Sequence, residues 1–164
     1  NGRPINVSDV PALDDALVLH APLEEFARST GHDALVRLTT RTRVSRGIGD
    51  AWAQLLVARG AADALVEQGP CFEWDWAATS LIVAEAGGHL SRLEGGDPVP
   101  GCHLLVTNGQ LDPTIRAALY PDLPDSQPTT ETASGRRTPC GPPTRLIGSL
   151  TPWRCWRTPD ARWG

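Results

Sequence analysis

The sequence predicts an α/β body, and three observations carry that expectation. Short apolar runs of strand length alternate with longer stretches in which apolar residues recur every three or four positions. Gly, Pro and Asp punctuate the junctions where helices start and stop. The pattern extends from Asn1 to Asp122 and then ends, because residues 123–164 hold seven of the 15 prolines among Ser, Thr and Gly and keep no helical or strand period. Such a segment buries too little apolar surface to offset chain entropy. Residues 1–122 are therefore expected to form the body and residues 123–164 a Pro/Arg-rich disordered tail.

Within the body, Ile5 and Val7 alternate with Asn6 and Ser8 between Pro4 and Pro11, the pattern of a short strand. Ala16, Leu17, Val18 and Leu19, followed by His20, suit a buried strand. Pro22 stands where a helix can begin, and Leu23, Phe26, Leu35 and Leu38 fall at helical intervals around an interruption at Gly31. Thr42 to Ser45 reads as another short strand. Trp52, Leu55, Leu56 and Ala58 then form one face of a helix with Asp50 as N-cap and Gly60 as C-cap. A strand at Ala64 to Val66 leads into a loop from Glu67 to Glu73. The next helix runs from Asp75 to Ala86 and stops at Gly87 and Gly88. Strands are expected at residues 89–93 and 104–107, and Asp112 as N-cap with Pro113 at the first helical position opens a last helix through Leu119.

Composition narrows the function. A body of this length suffices for one hydrophobic core. All 15 basic residues are arginine, and against 19 acids they leave a net charge of −4, which argues against a nucleic-acid footprint. The balance is uneven: nine arginines face 16 acids up to Asp122, and six face three beyond it. Those six, interleaved with Trp153, Trp156 and Trp163, have the composition of a segment that stacks on single-stranded bases. The excess is too slight to make nucleic acid a favoured partner. No apolar run nears the roughly 18 residues of a membrane span and no signal-peptide pattern is seen, so no membrane partner and a cytoplasmic location are expected. Cys71, Cys102, Cys140 and Cys155 lack zinc-ligand spacing and are expected to be reduced thiols. The chain contains no Met and opens Asn1-Gly2-Arg3-Pro4, which leads to the expectation of a fragment.

The most informative chemistry lies at Asp75. A carboxylate in the first turn of a helix can serve as a cap, contributing about 0.5–2 kcal/mol. It can equally hold Mg2+ while the free amides of the helix end hold a phosphate. The surrounding residues favour the second use. Trp74-Asp75 followed by Ala77-Ala78, then Ile82-Val83 and Glu85-Ala86-Gly87-Gly88, resembles the carboxy-terminal signature of the inositol monophosphatase family, which includes the histidinol-phosphatases. Gly49-Asp50-Ala51-Trp52 with the run from Leu56 to Ala64, Leu105-Val106-Thr107-Asn108, and the opening Asn1-Gly2-Arg3-Pro4-Ile5 with Val7-Ser8 resemble further family segments in order.

The resemblance covers about Asn1 to Tyr120 and implies the carboxy-terminal half of a layered α-β-α-β-α sugar-phosphatase fold. It implies Mg2+-dependent hydrolysis of a small phosphorylated metabolite, an inositol phosphate or similar, with histidinol phosphate as the rival substrate and a homodimer in the complete protein. In the family, Mg2+ is held by an upstream Glu, two aspartates of a D-P-[IL]-D-G-[ST] segment and the aspartate of the W-D motif. Only the last is matched here, by Asp75. Asp97-Pro98-Val99-Pro100 lacks the second Asp and the Gly and follows the W-D motif instead of preceding it. No catalytic set is complete in this chain, so the isolated polypeptide is expected to bind Mg2+ weakly and to have little or no phosphatase activity.

The resemblance also makes Glu67 a candidate for substrate hydroxyls, one residue further from the W-D motif than in the animal inositol enzymes. Asp50 is a second substrate candidate. Trp74 is expected to pack and hold Asp75 in place, and Trp76 to pack beside it. Arg43 and Arg46 are expected to be surface charges, and His89 and His103, with no acid–base partner close in sequence, receive no catalytic role. The competing reading, from a different class, is a truncated non-catalytic relic or an interaction module.

Overall fold

A computed structural model describes residues 2–27 and 31–121. The expected tail lies outside the described residues. Five strands form one mixed sheet: β1 (Leu17–His20), β2 (Val44–Gly47), β3 (Ala64–Cys71), β4 (His89–Arg92) and β5 (Cys102–Thr107), in the order β2-β1-β3-β5-β4. β1 runs parallel to both β2 and β3, whereas β5 runs antiparallel to β3 and β4. Five helices connect them: α1 (Leu23–Ala27), α2 (His32–Thr39), α3 (Asp50–Ala58), α4 (Glu73–Glu85) and α5 (Asp112–Leu119).

The period-2 alternation of strand side chains sorts the helices into two layers. Val18, Val66 and Leu105 point to one face, where Phe26 of α1, Leu35 and Leu38 of α2, and Ile115 and Leu119 of α5 pack on them. Leu19, Leu65 and Val106 point the other way, onto Ala53 and Val57 of α3 and Val83 of α4. Each buried Val, Leu, Ile or Phe among them stabilises the fold by about 1.5–3 kcal/mol. The α/β expectation therefore holds, as two helical layers around a sheet. α3 and α4 are not apolar on the buried side alone: Trp52, Trp74 and Leu81 are 61%, 79% and 64% exposed. No helix among the described residues is long and apolar enough to cross a membrane.

Several elements differ from expectation for identifiable reasons. Residues 5–8 form no strand; Val7 makes one backbone bond, donating to the Ala86 carbonyl at 3.0 Å. This strap lies so close to two glycines that a Cβ at Gly60 would meet the Asn6 carbonyl oxygen at 2.9 Å, and one at Gly88 would meet Val7 Cγ1 at 2.8 Å. β3 continues well past Val66 because an irregularity in its pairing with β5, between Glu67 and Cys71, accommodates Pro70. Asp112 is the first residue of α5, with Leu111 at the N-cap. No side chain caps the helix; Asn108 instead shapes the turn before it, its Oδ1 accepting the amides of Gln110 and Leu111 at 3.1 and 3.2 Å.

Candidate active site

The end of β3, the start of α3 and the first turn of α4 enclose a cleft of about 330 Å³. Glu25, Asp50, Glu67 and Asp75 line it together with Gln54 and Trp74, and among the described residues no basic side chain lines it.

Asp75 is the third residue of α4. Its Oδ2 accepts the Phe72 amide at 2.8 Å, and its own amide donates to the Phe72 carbonyl at 2.8 Å. This reciprocal pair fixes the carboxylate beside the positive end of a 13-residue helix. A second device, absent from the sequence reading, holds the same turn. Gln54 of α3 is buried, donates from Nε2 to the Asp75 carbonyl at 3.1 Å and accepts the Thr79 hydroxyl at Oε1. Its signal in the sequence is a glutamine beside Ala53 on the face that also carries Val57 and Ala58, where a polar residue must find a partner.

Glu67 is not a loop residue. It sits in β3, is 7% exposed, and accepts the Asp50 amide on Oε2 at 3.2 Å. Gly49 permits this approach, since a Cβ there would lie 2.8 Å from Glu67 Oε1. Burial first, then the charges of Asp50, Glu25 and Asp75, push the Glu67 carboxyl up to about 7, against a smaller opposing pull from the Asp50 amide. Asp50 is exposed and does not cap α3; the N-cap is Gly49. The backbone of Asp50 is left-handed, with φ of 61°, a conformation Asp tolerates better than most residues, and its amide meets Glu67.

Trp74 lines the cleft but does not pack into a core. It stacks on Phe72, ring centroids 5.1 Å apart at 19°, and so covers the residue whose amide holds Asp75. Trp76 packs as expected, against the cluster of Cys71, Cys102 and Leu104. Arg43 and Arg46 bond to the carbonyls of Asp15 and Ser45 and lie outside the cleft lining, as surface charges should. Asp63 is buried and spent on structure, its Oδ2 accepting the Leu17 amide at 2.6 Å.

A family model described as the inositol monophosphatase family matches residues 1–125. The chain belongs to the inositol monophosphatase family. A histidinol-phosphatase of Streptomyces coelicolor is 32% identical over 107 residues, 65% of this chain and 40% of that protein. The chloroplastic phosphatase IMPL1 of Arabidopsis thaliana is 35% identical over 125 residues, 74% of this chain and 33% of that protein. A solved inositol monophosphatase from Anabaena superposes with a TM-score of 0.64 at 28% identity, covering 76% of this chain and 50% of that structure. The chain thus spans less than half the length of the curated relatives it matches.

For an inositol monophosphatase-family chain, the donor set here is incomplete. Among the described residues, no group of three His, Cys, Asp or Glu side chains is placed to hold a metal ion. Asp75 and Glu67 each already serve a backbone amide. The cleft alone does not fit a pair of hard divalent cations, which need six or more oxygens each.

Proposed function

We propose that residues 1–122 supply the carboxy-terminal wall of a Mg2+-dependent phosphomonoesterase site. The supporting observation is the placement of Asp75, fixed at the amino-terminal turn of α4 on the edge of a cleft that also holds Glu67. The first amides of a helix suit a phosphate, and a carboxylate beside them suits a hard cation. Glu67, pushed up to about 7, is partly protonated at neutral pH and can both donate to and accept from a substrate hydroxyl. The remaining cation ligands and the group that orients the attacking water must come from outside the described residues. The isolated chain then has little or no activity. The same reading makes the complete protein a cytoplasmic homodimer.

The substrate proposed first is an inositol phosphate or a similar small polyol phosphate. Histidinol phosphate is the second, favoured by the carboxylates of Asp50, Glu67 and Asp75 in the cleft lining, which match a protonated amine.

Two measurements test this. Calorimetric titration of the chain with Mg2+ should show millimolar or weaker affinity, reduced further in Asp75→Asn; an unchanged isotherm in that variant removes Asp75 from the site. A chimera that places this chain after the amino-terminal part of the Streptomyces histidinol-phosphatase should release inorganic phosphate from one of the two substrates, and lose that activity in Asp75→Asn. A folded but inactive chimera supports the non-catalytic reading instead.

A further inference from the structure

We propose that Cys71 and Cys102 are a redox-responsive pair that closes into an intramolecular disulfide in the wall of the cleft. The inference is independent of the phosphatase reading, since it rests on strand pairing alone.

Cys71 is the last residue of β3 and Cys102 the first of β5, and the two are direct register partners across the antiparallel ladder. Direct partners in such a ladder have Cα atoms about 4.5 or 5.5 Å apart. Both spacings fall inside the roughly 4.4–6.8 Å range that a disulfide spans without backbone movement. Both thiols are free and buried, 7% and 8% exposed, in one apolar cluster with Leu104. In the reduced state the Cys71 thiol donates to the Gly69 carbonyl at 3.5 Å.

Position makes the pair responsive instead of inert. It stands at the end of the ladder, set apart from the regular pairing by the irregularity after Glu67. Ladder ends open locally at far lower cost than the whole fold, so a soluble oxidant can reach thiols that are covered in the closed state. Burial pushes the Cys71 thiol up to about 12, which slows exchange at neutral pH and makes it faster in alkali. Cys71 also lines the cleft, so the closed bond ties the segment leading to Asp75 onto β5.

The oxidant class is a low-molecular-weight disulfide such as glutathione disulfide. One cysteine thiolate attacks it, forming a mixed disulfide and releasing one glutathione thiolate. The second cysteine thiolate displaces the other glutathione. Two protein thiols are oxidised, the S–S bond of one glutathione disulfide is reduced, and two glutathione thiols carry away the protons.

The absence of lysine makes the test clean, because trypsin cleaves only at arginine and places Cys71 in peptide 60–92, Cys102 in peptide 93–116, and Cys140 and Cys155 in two others. The full chain is incubated with glutathione disulfide at pH 8, alkylated, digested and weighed by mass spectrometry. The expected product is peptide 60–92 joined to peptide 93–116, two hydrogens lighter than their sum and separated by dithiothreitol. The Cys140→Ser/Cys155→Ser double variant should form the same product, and Cys71→Ser should not. Alkylation of both Cys71 and Cys102 under conditions that oxidise the other two cysteines overturns the proposal. So does capture of either as a stable glutathione adduct, or its linkage to Cys140 or Cys155.

Discussion

Two clusters of charge in this protein are built on opposite terms. At the corner of β4 and α5, Arg116 Nε meets Asp112 Oδ1 at 2.5 Å, and its other nitrogens donate to Ser91 Oγ, to the Arg92 carbonyl and to the Leu93 carbonyl. His89 Nδ1 completes the group, 3.0 Å from Asp112 Oδ2. Burial would raise the Asp112 carboxyl, yet the bonds to His89 and Arg116 outweigh it and hold the group below its usual value. In the cleft, by contrast, the partners of the Glu67 and Asp75 side chains among the described residues are backbone amides, and the neighbouring charges that bear on Glu67 are carboxylates. A buried carboxylate with a matched cation is structural. One left with neighbours of its own sign is destabilising unless a ligand completes it, which is how binding sites differ from frameworks.

The comparison can be broken first at Arg116, which is 14% exposed at its side chain. Arg116→Ala should cost about 3–5 kcal/mol in urea unfolding, because it leaves Asp112 with His89 alone and removes the donor to Ser91 Oγ and to the Arg92 and Leu93 carbonyls. A loss under about 1 kcal/mol would place the corner among ordinary surface pairs.

The second test concerns Glu67. Its folded-state value of about 7 lies above the ordinary 4.5, so its protonation favours the fold. The favourable contribution is complete below pH 4.5 and is lost as pH rises through 7. At 1.36 kcal/mol per unit, wild type should lose on the order of 3 kcal/mol relative to Glu67→Gln across that interval, read from urea midpoints at each pH. An equal pH profile for the two proteins would mean that the cleft charges are already neutralised.

The smallest effect belongs to His89. Its bond to Asp112 raises its value above 6.5, against a smaller lowering by burial. The contribution is present below pH 6.5 and fades as pH rises through the raised value. His89→Asn should cost about 0.5 kcal/mol at pH 5.5 and nothing at pH 9, since the ring is largely exposed. An NMR titration of the His89 ring that is unmoved by Asp112→Asn would remove the pair from the account.

What the sequence disclosed follows from the range of the interactions involved. The alternation of strands and helices, the position of Asp75 in the first turn of α4 and the stop at Gly87 and Gly88 were legible because helical period and helix ends are local, whereas the layering followed only from the family resemblance. The place of Glu67 in a strand was not legible, since Gly69 and Pro70 punctuate the chain as a loop would, and only pairing with β5 shows that the strand continues. Asp50 looked like an N-cap by residue type, and its left-handed backbone is explained only by Glu67, 17 positions away. The His89–Asp112 contact spans 23 positions and so escaped a search for partners at close spacing. The strand expected at residues 5–8 alternated correctly, but its Val7 amide bonds to Ala86 at the end of α4 and not to a strand.

The strand order has a kinetic consequence. β1 reaches β2 only after two helices, β1 reaches β3 after a third, and β3 reaches β5 after α4 and β4. Among the described residues, β4 and β5 are the one pair of neighbouring strands joined without an intervening helix. The sheet must therefore be assembled from loop closures of some 20 to 45 residues, with the β4–β5 hairpin available early and β3, its centre, recruited from both sides. Refolding should run on the slow side for a chain of this size. Until β3 docks, its apolar first half, Ala64 to Val66, is the stretch most exposed to chaperones and to other copies of the chain.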